Sequence, residues 1–262
     1  MKYNKIVLFF SISLALGTIM RFFQIKYTIT YATGFFVSAL SGYGHFIIAI
    51  ILGMAILNAV FAMTYYKRPD NPPQTGIVLA ITSFMLSASI LFEVFTERTV
   101  TPAIPLQSVL LKIFGMLAAA YFVLYGLDKF FDTRLPDMTA TIPVIYIIMR
   151  IICDFAAVSS LALISDYVFL ILGYCVILLF FINFLKLYNG IDNEYNFRKI
   201  LATGLASAAI CIPQTISHIA VNAVSDGGYV HISHAANGSM LAFGLFIIAF
   251  VFTHFSKENT LS

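Results

Sequence analysis

Long apolar runs constrain this chain more than any other feature. Almost the whole sequence consists of apolar stretches separated by short polar breaks. Each stretch has about 20 residues, the length that an α-helix needs to cross the hydrocarbon core of a bilayer. Hydrophobic residues make up 60% of the chain and charged residues only 10%, whereas a soluble domain usually has about 25% charged residues. The pattern predicts an all-α, polytopic helical membrane protein.

Polar breaks mark the borders of the predicted spans. The breaks "KRPDNPPQTG" (67–76) and "TERTVTPAIP" (96–105) combine charged residues with proline or glycine, which interrupt helices. No segment is long or polar enough to form a separate soluble domain, so residues 1–262 are predicted to be a single integral membrane domain. We predict eight transmembrane helices near residues 5–24, 45–66, 76–96, 106–127, 140–160, 167–188, 199–219 and 235–255.

The distribution of lysine and arginine predicts an orientation in the cell membrane. One set of alternate breaks holds most of these residues, and the other set holds only Arg21, Lys26 and Arg98. By the positive-inside rule, both termini are then cytoplasmic. The first residues also resemble a secretory signal peptide, and cleavage after Gly17 would leave seven spans. We favour an uncleaved first span because the repeat described next includes it.

The two halves of the chain resemble each other. The segment "SGYGHFIIAIILGM" (41–54) aligns with "SDYVFLILGYCVIL" (165–178), and "MLAAAYFVLYG" (116–126) aligns with "MLAFGLFIIAF" (240–250). These and other matched pieces occur in the same order at nearly constant spacing. They predict half-repeats 1–130 and 131–262, each with four spans in the same orientation. Parallel repeats of this kind occur among transporters, whose substrate sites lie between the repeats.

Two arginines stand in apolar runs, each after Ile-Met, in "TIMRFFQ" (18–24) and "IIMRIICDF" (147–155). An arginine at the centre of a membrane helix costs about 2.5–3.5 kcal/mol on insertion scales. One interpretation is that each arginine snorkels or closes a structural ion pair, with Glu93–Arg21 and Asp154–Arg150 as candidates. The other is that both guanidinium groups line a central cleft and bind an anion bidentately.

Further polar residues map to the same predicted outer ends of the spans. Glu93 and Lys112 lie near the ends of spans three and four, and Gln214 and His218 follow Pro213. A proline inside a helix removes a backbone hydrogen bond, so Pro213 should kink span seven or open its last turns. The candidate ligand-binding residues are therefore Arg21, Glu93, Lys112, Arg150, Asp154, Gln214 and His218.

The histidines suggest a zinc-dependent membrane hydrolase as a less favoured alternative. His231 and His234 are three residues apart and could bind zinc with Asp226. The segment "SGYGH" (41–45) resembles the Ser-x-x-x-His element of the alkaline ceramidase and progestin-receptor hydrolase superfamily. That superfamily has a late His-x-x-x-His pair facing the cytoplasm, however, whereas the pair in this chain is His-x-x-His and maps outside. The residue patterns of other enzyme classes are missing, so we predict no catalytic residue, metal or cofactor.

The three cysteines do not change this interpretation. Cys153, Cys175 and Cys211 all lie in apolar spans and have no metal-binding spacing. The net charge of +3 is modest and follows the predicted inner loops. It indicates contact with anionic lipid and gives no reason to expect a nucleic-acid partner.

Several segments resemble an uncharacterised polytopic membrane protein family of Gram-positive anaerobic bacteria. They are "TGFF" (33–36), "IPVIYIIMRIICDF" (142–155) and "ISDYVFLILGYCVILLFFINFLKLYNG" (164–190). The resemblance implies an eight-span architecture and no known activity. The sequence leaves two main functions open. The protein is either a small transporter or binder of an anionic or amphipathic ligand, or a noncatalytic sensor or accessory subunit of the membrane.

Overall fold

The computed structural model describes residues 2–30, 34–65, 76–96, 105–131, 135–159, 165–190, 194–224 and 234–255. Within these ranges the chain forms eight α-helices, all of them long and apolar enough to cross a membrane. The prediction of an all-α polytopic membrane protein with eight spans is confirmed. The helices are α1 (Lys2–Thr28), α2 (Ser41–Tyr65), α3 (Ile77–Thr96), α4 (Pro105–Phe131), α5 (Thr141–Ser159), α6 (Ser165–Tyr188), α7 (Glu194–Val224) and α8 (His234–Phe255).

Helix α7 is the longest helix and continues through Pro213 without a break. Of the two outcomes predicted for Pro213, opening of the last turns is therefore wrong, and a kink stays a prediction. Two residues after the proline, the hydroxyl of Thr215 donates to the carbonyl of Cys211 at 3.0 Å, within the same helix. The proline ring packs against Gly17 of α1, where an added Cβ would lie only 3.3 Å from the Cγ of Pro213. Close contact with α1 thus supports the helix at the point where proline weakens it.

Helix α7 occupies the centre of the bundle. Helices α1, α2, α6 and α8 all pack against it, and α3, α4 and α5 complete a ring that runs from α8 round to α6. Within an apolar stretch of 18 residues in α7, 89% of the residues are buried, against 22% in the corresponding stretch of α2. Small residues in "GLASAA" (204–209) allow the neighbouring helices to approach this closely.

Aromatic side chains from α4, α6 and α8 fill the interior of this ring. The ring of Phe122 lies 5.9 Å from that of Phe181 and 5.3 Å from that of Phe246. On one side of this cluster, the ring centre of Phe243 lies 6.3 Å from that of Tyr174. On the other side, the ring centre of Phe246 lies 5.8 Å from that of Tyr125. These edge-to-face contacts are the geometry that aromatic pairs favour. The described structure is therefore closed along the axis of the ring.

Described residues on either side of positions 31–33 pair with each other between α1 and α2. Ile29 and Phe36 pair as an antiparallel bridge, and the N–H of Thr30 donates to the carbonyl of Phe35 at 2.8 Å. Gly34 has a φ of 72°, a conformation that glycine adopts readily. This pairing brings the ring of Phe36 onto the start of α2 at Gly44. Phe36 therefore packs next to Gly44, whose carbonyl accepts a hydrogen bond from Gln24 of α1.

The half-repeats 1–130 and 131–262 stay a prediction. Within each proposed half the first two helices pack together, as do the last two. The helices that would correspond, α3 and α7, have different surroundings, since α3 packs mainly against α4 and α8 whereas α7 packs against four helices. The side of the membrane that each terminus faces also stays a prediction.

Candidate functional site

Buried charged residues gather at one end of the bundle, where α1, α3, α5 and α7 end and α2, α4, α6 and α8 begin. We call this the arginine end. Arg21 is fully buried there, and Arg150 is only 3% exposed. Asp166, Glu93 and Asp154 are buried with them. Both arginines therefore lie among protein side chains and do not snorkel to the bundle surface.

Arg21 joins α1 to α6 and α7. Its Nη2 forms an ion pair with Oδ1 of Asp166, and its Nε donates to Oε1 of Gln214 at 2.6 Å. Its Nη1 donates to Oε1 of Gln24 at 2.5 Å, one turn along α1. The guanidinium carbon lies 4.2 Å from the centre of the Phe169 ring, a cation–π contact. Every nitrogen of this side chain thus has a partner.

Two more residues complete the Arg21 cluster. His218 lies on α7, the helix that also carries Gln214, and its Nε2 is 3.4 Å from Oδ1 of Asp166. Gln24 donates from its Nε2 to the carbonyl of Gly44 at 2.7 Å, which ties α1 to the start of α2. The cluster therefore connects four helices. Within it, the formal charge of Arg21 balances that of Asp166.

Arg150 belongs to a second cluster, built by α3 and α5. Its Nη1 forms an ion pair with Glu93, and its Nε donates to Oδ2 of Asp154 at 2.9 Å. The hydroxyl of Tyr146 donates to Oε2 of Glu93 at 3.3 Å. The guanidinium carbon also lies 5.7 Å from the centre of the Tyr174 ring on α6. One arginine thus faces two carboxylates, and these three groups carry a net formal charge of −1.

A narrow cleft opens onto this second cluster. The lining consists of Glu93, Val94, Ser108, Leu111, Lys112, Tyr146 and Arg150. Lys112 is exposed, and it forms no ion pair with any residue that the structure describes. In this conformation the cleft has room for little more than a water molecule. With Lys112 included, the formal charges of the described residues of this cluster sum to zero.

Gly115 on α4, three residues after Lys112, lies at a close contact of this helix with α3 and α5. A Cβ added to this glycine would lie 2.5 Å from Cγ2 of Val94 and 3.3 Å from Cε2 of Tyr146. No side chain fits there unless its neighbours move. The glycine therefore fixes how near Lys112, three residues earlier on α4, comes to the buried cluster.

The structure divides the sequence-predicted site residues between the two clusters. Glu93, Lys112, Arg150 and Asp154 come together at α3, α4 and α5, whereas Arg21, Gln214 and His218 lie at α1 and α7. The predicted Asp154–Arg150 pair is present. The carboxylate partner shown for Arg21 is Asp166, and Glu93 pairs with Arg150, so the alternative pair Glu93–Arg21 is wrong.

Sequence reasoning missed several residues of the two clusters. Asp166 and Gln24 hold Arg21, and Tyr146 holds Glu93. A charge count offered a usable signal, because two buried arginines at one end of the bundle require carboxylates nearby, and Asp166 starts a span at that end. Tyr146 lies one turn before Arg150 on the same helix, so helical spacing alone would have placed it beside the cluster.

The proposed histidine site lies largely outside the described residues. His231 and Asp226 fall in undescribed ranges, and the side chain of His234 is not described. Among the residues that the structure does describe, no group of three or more His, Cys, Asp or Glu side chains is arranged to hold a metal ion. The zinc hypothesis therefore gains no support from the described residues.

Comparisons of the chain with protein-family models, with curated proteins and with solved structures find no match. The resemblance to a membrane protein family of Gram-positive anaerobic bacteria thus stays a prediction. Inference about function depends on the geometry of the two clusters.

Proposed function

We propose that this multi-pass membrane protein is a small transporter that binds an anionic or amphipathic solute in the cleft between α3, α4 and α5. The observation that supports the proposal is that one cleft is lined by both an exposed lysine, Lys112, and a buried arginine, Arg150. Ionisable residues inside membrane proteins are costly, and they commonly mark solute or ion pathways. Under the predicted orientation, this cleft faces outward.

The lining of the cleft suits such a solute. Lys112 at the exposed side offers a first contact for an anion, and Arg150 offers a planar set of donors deeper in. Val94 and Leu111 supply apolar surface beside these charges. Because the cleft is narrow, binding requires α4 to move away from α3 and α5, and movements of this kind alternate the access of a transporter.

Binding to purified protein in detergent tests the proposal. Benzoate and sulfate serve as probes, because both stay ionised near neutral pH. We expect calorimetry to detect binding of at least one of them, and Lys112→Gln to weaken it by about tenfold. Lys26→Gln is the matched control, since Lys26 also lies near the arginine end but contacts Phe22 and Tyr27 away from the cleft. Uptake of the bound probe into proteoliposomes then separates a transporter from a binding protein.

A noncatalytic accessory subunit or sensor remains the second candidate. The observation in its favour is that both arginines already have carboxylate partners, as structural ion pairs do. Under this alternative neither probe binds, although loss of either arginine still lowers stability. The zinc hydrolase has its own test, namely the zinc content of the purified protein and its loss in His231→Ala/His234→Ala.

A further inference from the structure

We infer that the solute is a short, apolar monocarboxylate that takes the place of the Glu93 carboxylate on Arg150 when Glu93 takes up a proton. The inference rests on the proposed function and names its substrate class and its coupling ion. In the described structure, the Glu93 side chain itself marks the position of the solute.

The donors for one carboxylate are already assembled on α5. Tyr146, Arg150 and Asp154 follow one another at intervals of four residues and share one face of this helix. The Arg150 guanidinium and the Tyr146 hydroxyl both bind Glu93, so a solute carboxylate in its place receives the same two donors. Planar, bidentate recognition of a carboxylate is the interaction for which a guanidinium is best suited.

Glu93 is the carboxylate that can exchange. Asp154 lies on the same helix as Arg150, one turn away, and therefore moves with it. Glu93 comes from α3, so a small shift between α3 and α5 separates it from Arg150 and leaves Asp154 in place. The apolar side chains of Val94 and Leu111 line the vacated region, which favours a solute with a short apolar body.

The charges around Glu93 require the proton. Among the described residues, its titratable and charged neighbours are Arg150, Asp154 and Tyr146 on α5, Lys112 on α4 and, behind Arg150, Tyr174 on α6. Helix α8, which packs along α3, has no titratable group among its described side chains. The described charges of the cluster and Lys112 sum to zero, so an added anion would bring this sum to −1 in a largely buried site. One proton taken up from solvent restores it to zero: an O–H bond forms on the Glu93 carboxylate, and the hydronium ion that gives the proton loses one O–H bond and becomes water. No covalent bond of the solute changes.

The pH dependence of benzoate binding tests this exchange. The bound state of the wild-type protein holds one more proton than the free state, so affinity is highest at low pH. We expect the dissociation constant to rise about tenfold per pH unit between about pH 6 and pH 8. In Glu93→Gln the amide is already neutral, so benzoate binding becomes independent of pH. This variant retains His218 and Asp166, so a dependence that arises in the Arg21 cluster would persist in it.

A second measurement uses the wild-type protein and needs no variant. In weakly buffered detergent solution, benzoate binding should take up about one proton per site, seen as a rise in pH. Benzoate binding with no proton uptake and a flat pH profile overturns the exchange but leaves the proposed function standing. Sulfate binding that depends on Lys112, without benzoate binding, overturns the carboxylate class alone. Binding of neither probe overturns both the inference and the proposed function.

Discussion

Arg21 and Asp166 form a fully buried ion pair that joins the end of α1 to the start of α6, although 145 residues separate them along the chain. Removal of one partner leaves the other charge buried without compensation, which is far more costly than the pair itself is stabilising. The pair therefore fixes the relative position of two helices that do not follow one another in sequence. This role belongs to the Arg21 cluster, whereas the proposed exchange belongs to the Arg150 cluster.

The first prediction concerns the stability contributed by this pair. Asp166→Asn should lower the free energy of unfolding by about 3–5 kcal/mol, because Arg21 then stays buried without its carboxylate. Asp137→Asn is the matched control and should change it by less than about 0.5 kcal/mol, since Asp137 is exposed. Unfolding in mixed micelles measures both. The double variant Arg21→Gln/Asp166→Asn should lower the free energy of unfolding by less than the two single variants do together. If the losses add exactly, the two residues are not coupled.

The second prediction separates the two arginines by function. Arg150→Lys keeps a positive charge but loses the planar donor fork, so benzoate affinity should fall by at least about tenfold while the chain still folds. Arg21→Lys makes the same chemical change in the other cluster and should leave benzoate affinity within about twofold. Calorimetry on the two variants measures the difference. Equal losses at both positions would instead favour a single anion site between the arginines.

The third prediction concerns the close contact of α4 with α3 and α5 at Gly115, beside the cleft. Gly115→Ala places a Cβ against Val94 and Tyr146 and should lower the free energy of unfolding by about 1–3 kcal/mol. Val94 cannot easily turn aside, because its β-branched side chain is restricted in χ1. The matched control is Gly53→Ala in α2, where an added Cβ meets no atom within 4 Å. If Gly115→Ala proves as stable as this control, the three helices are not held together at this point.

The fourth prediction tests orientation. Ala39 lies exposed at the arginine end, and Asp137 lies exposed at the opposite end. In a background without Cys153, Cys175 and Cys211, a membrane-impermeant maleimide added to intact cells should label Ala39→Cys and not Asp137→Cys. The expected result follows from the lysine and arginine asymmetry of the breaks. The reverse pattern would place the cleft on the cytoplasmic side.

The sequence predicted the helices well because the physical cause of each span is local. A run of about 20 apolar residues must cross the bilayer as a helix whatever the rest of the chain does. The largest errors are in α7, which extends beyond the predicted 199–219 at both ends and continues through Pro213. A central helix can include polar turns and a proline because its neighbours, and not lipid, surround it.

In the two polar clusters, the sequence predicted only the contact between residues on the same helix. The Arg150–Asp154 pair follows from helical spacing and was predicted. The partners of Arg21 lie on α6 and α7, and spacing along one helix contains no information about which helices pack together. Asp166 lies in the short break between predicted spans five and six (161–166), where an acidic residue is common in a membrane protein. Only the packing of α1 and α6 against α7 brings its carboxylate to Arg21.

The distance along the chain between Arg21 and its partners also matters during synthesis. Helix α1 enters the membrane first, whereas Asp166 and Gln214 follow 145 and 193 residues later. Until α6 and α7 arrive, Arg21 has neither of these partners. An arginine within an apolar helix is costly to hold in hydrocarbon. The surroundings that make Arg21 favourable in the finished protein are therefore completed only when the sixth and seventh helices have been inserted.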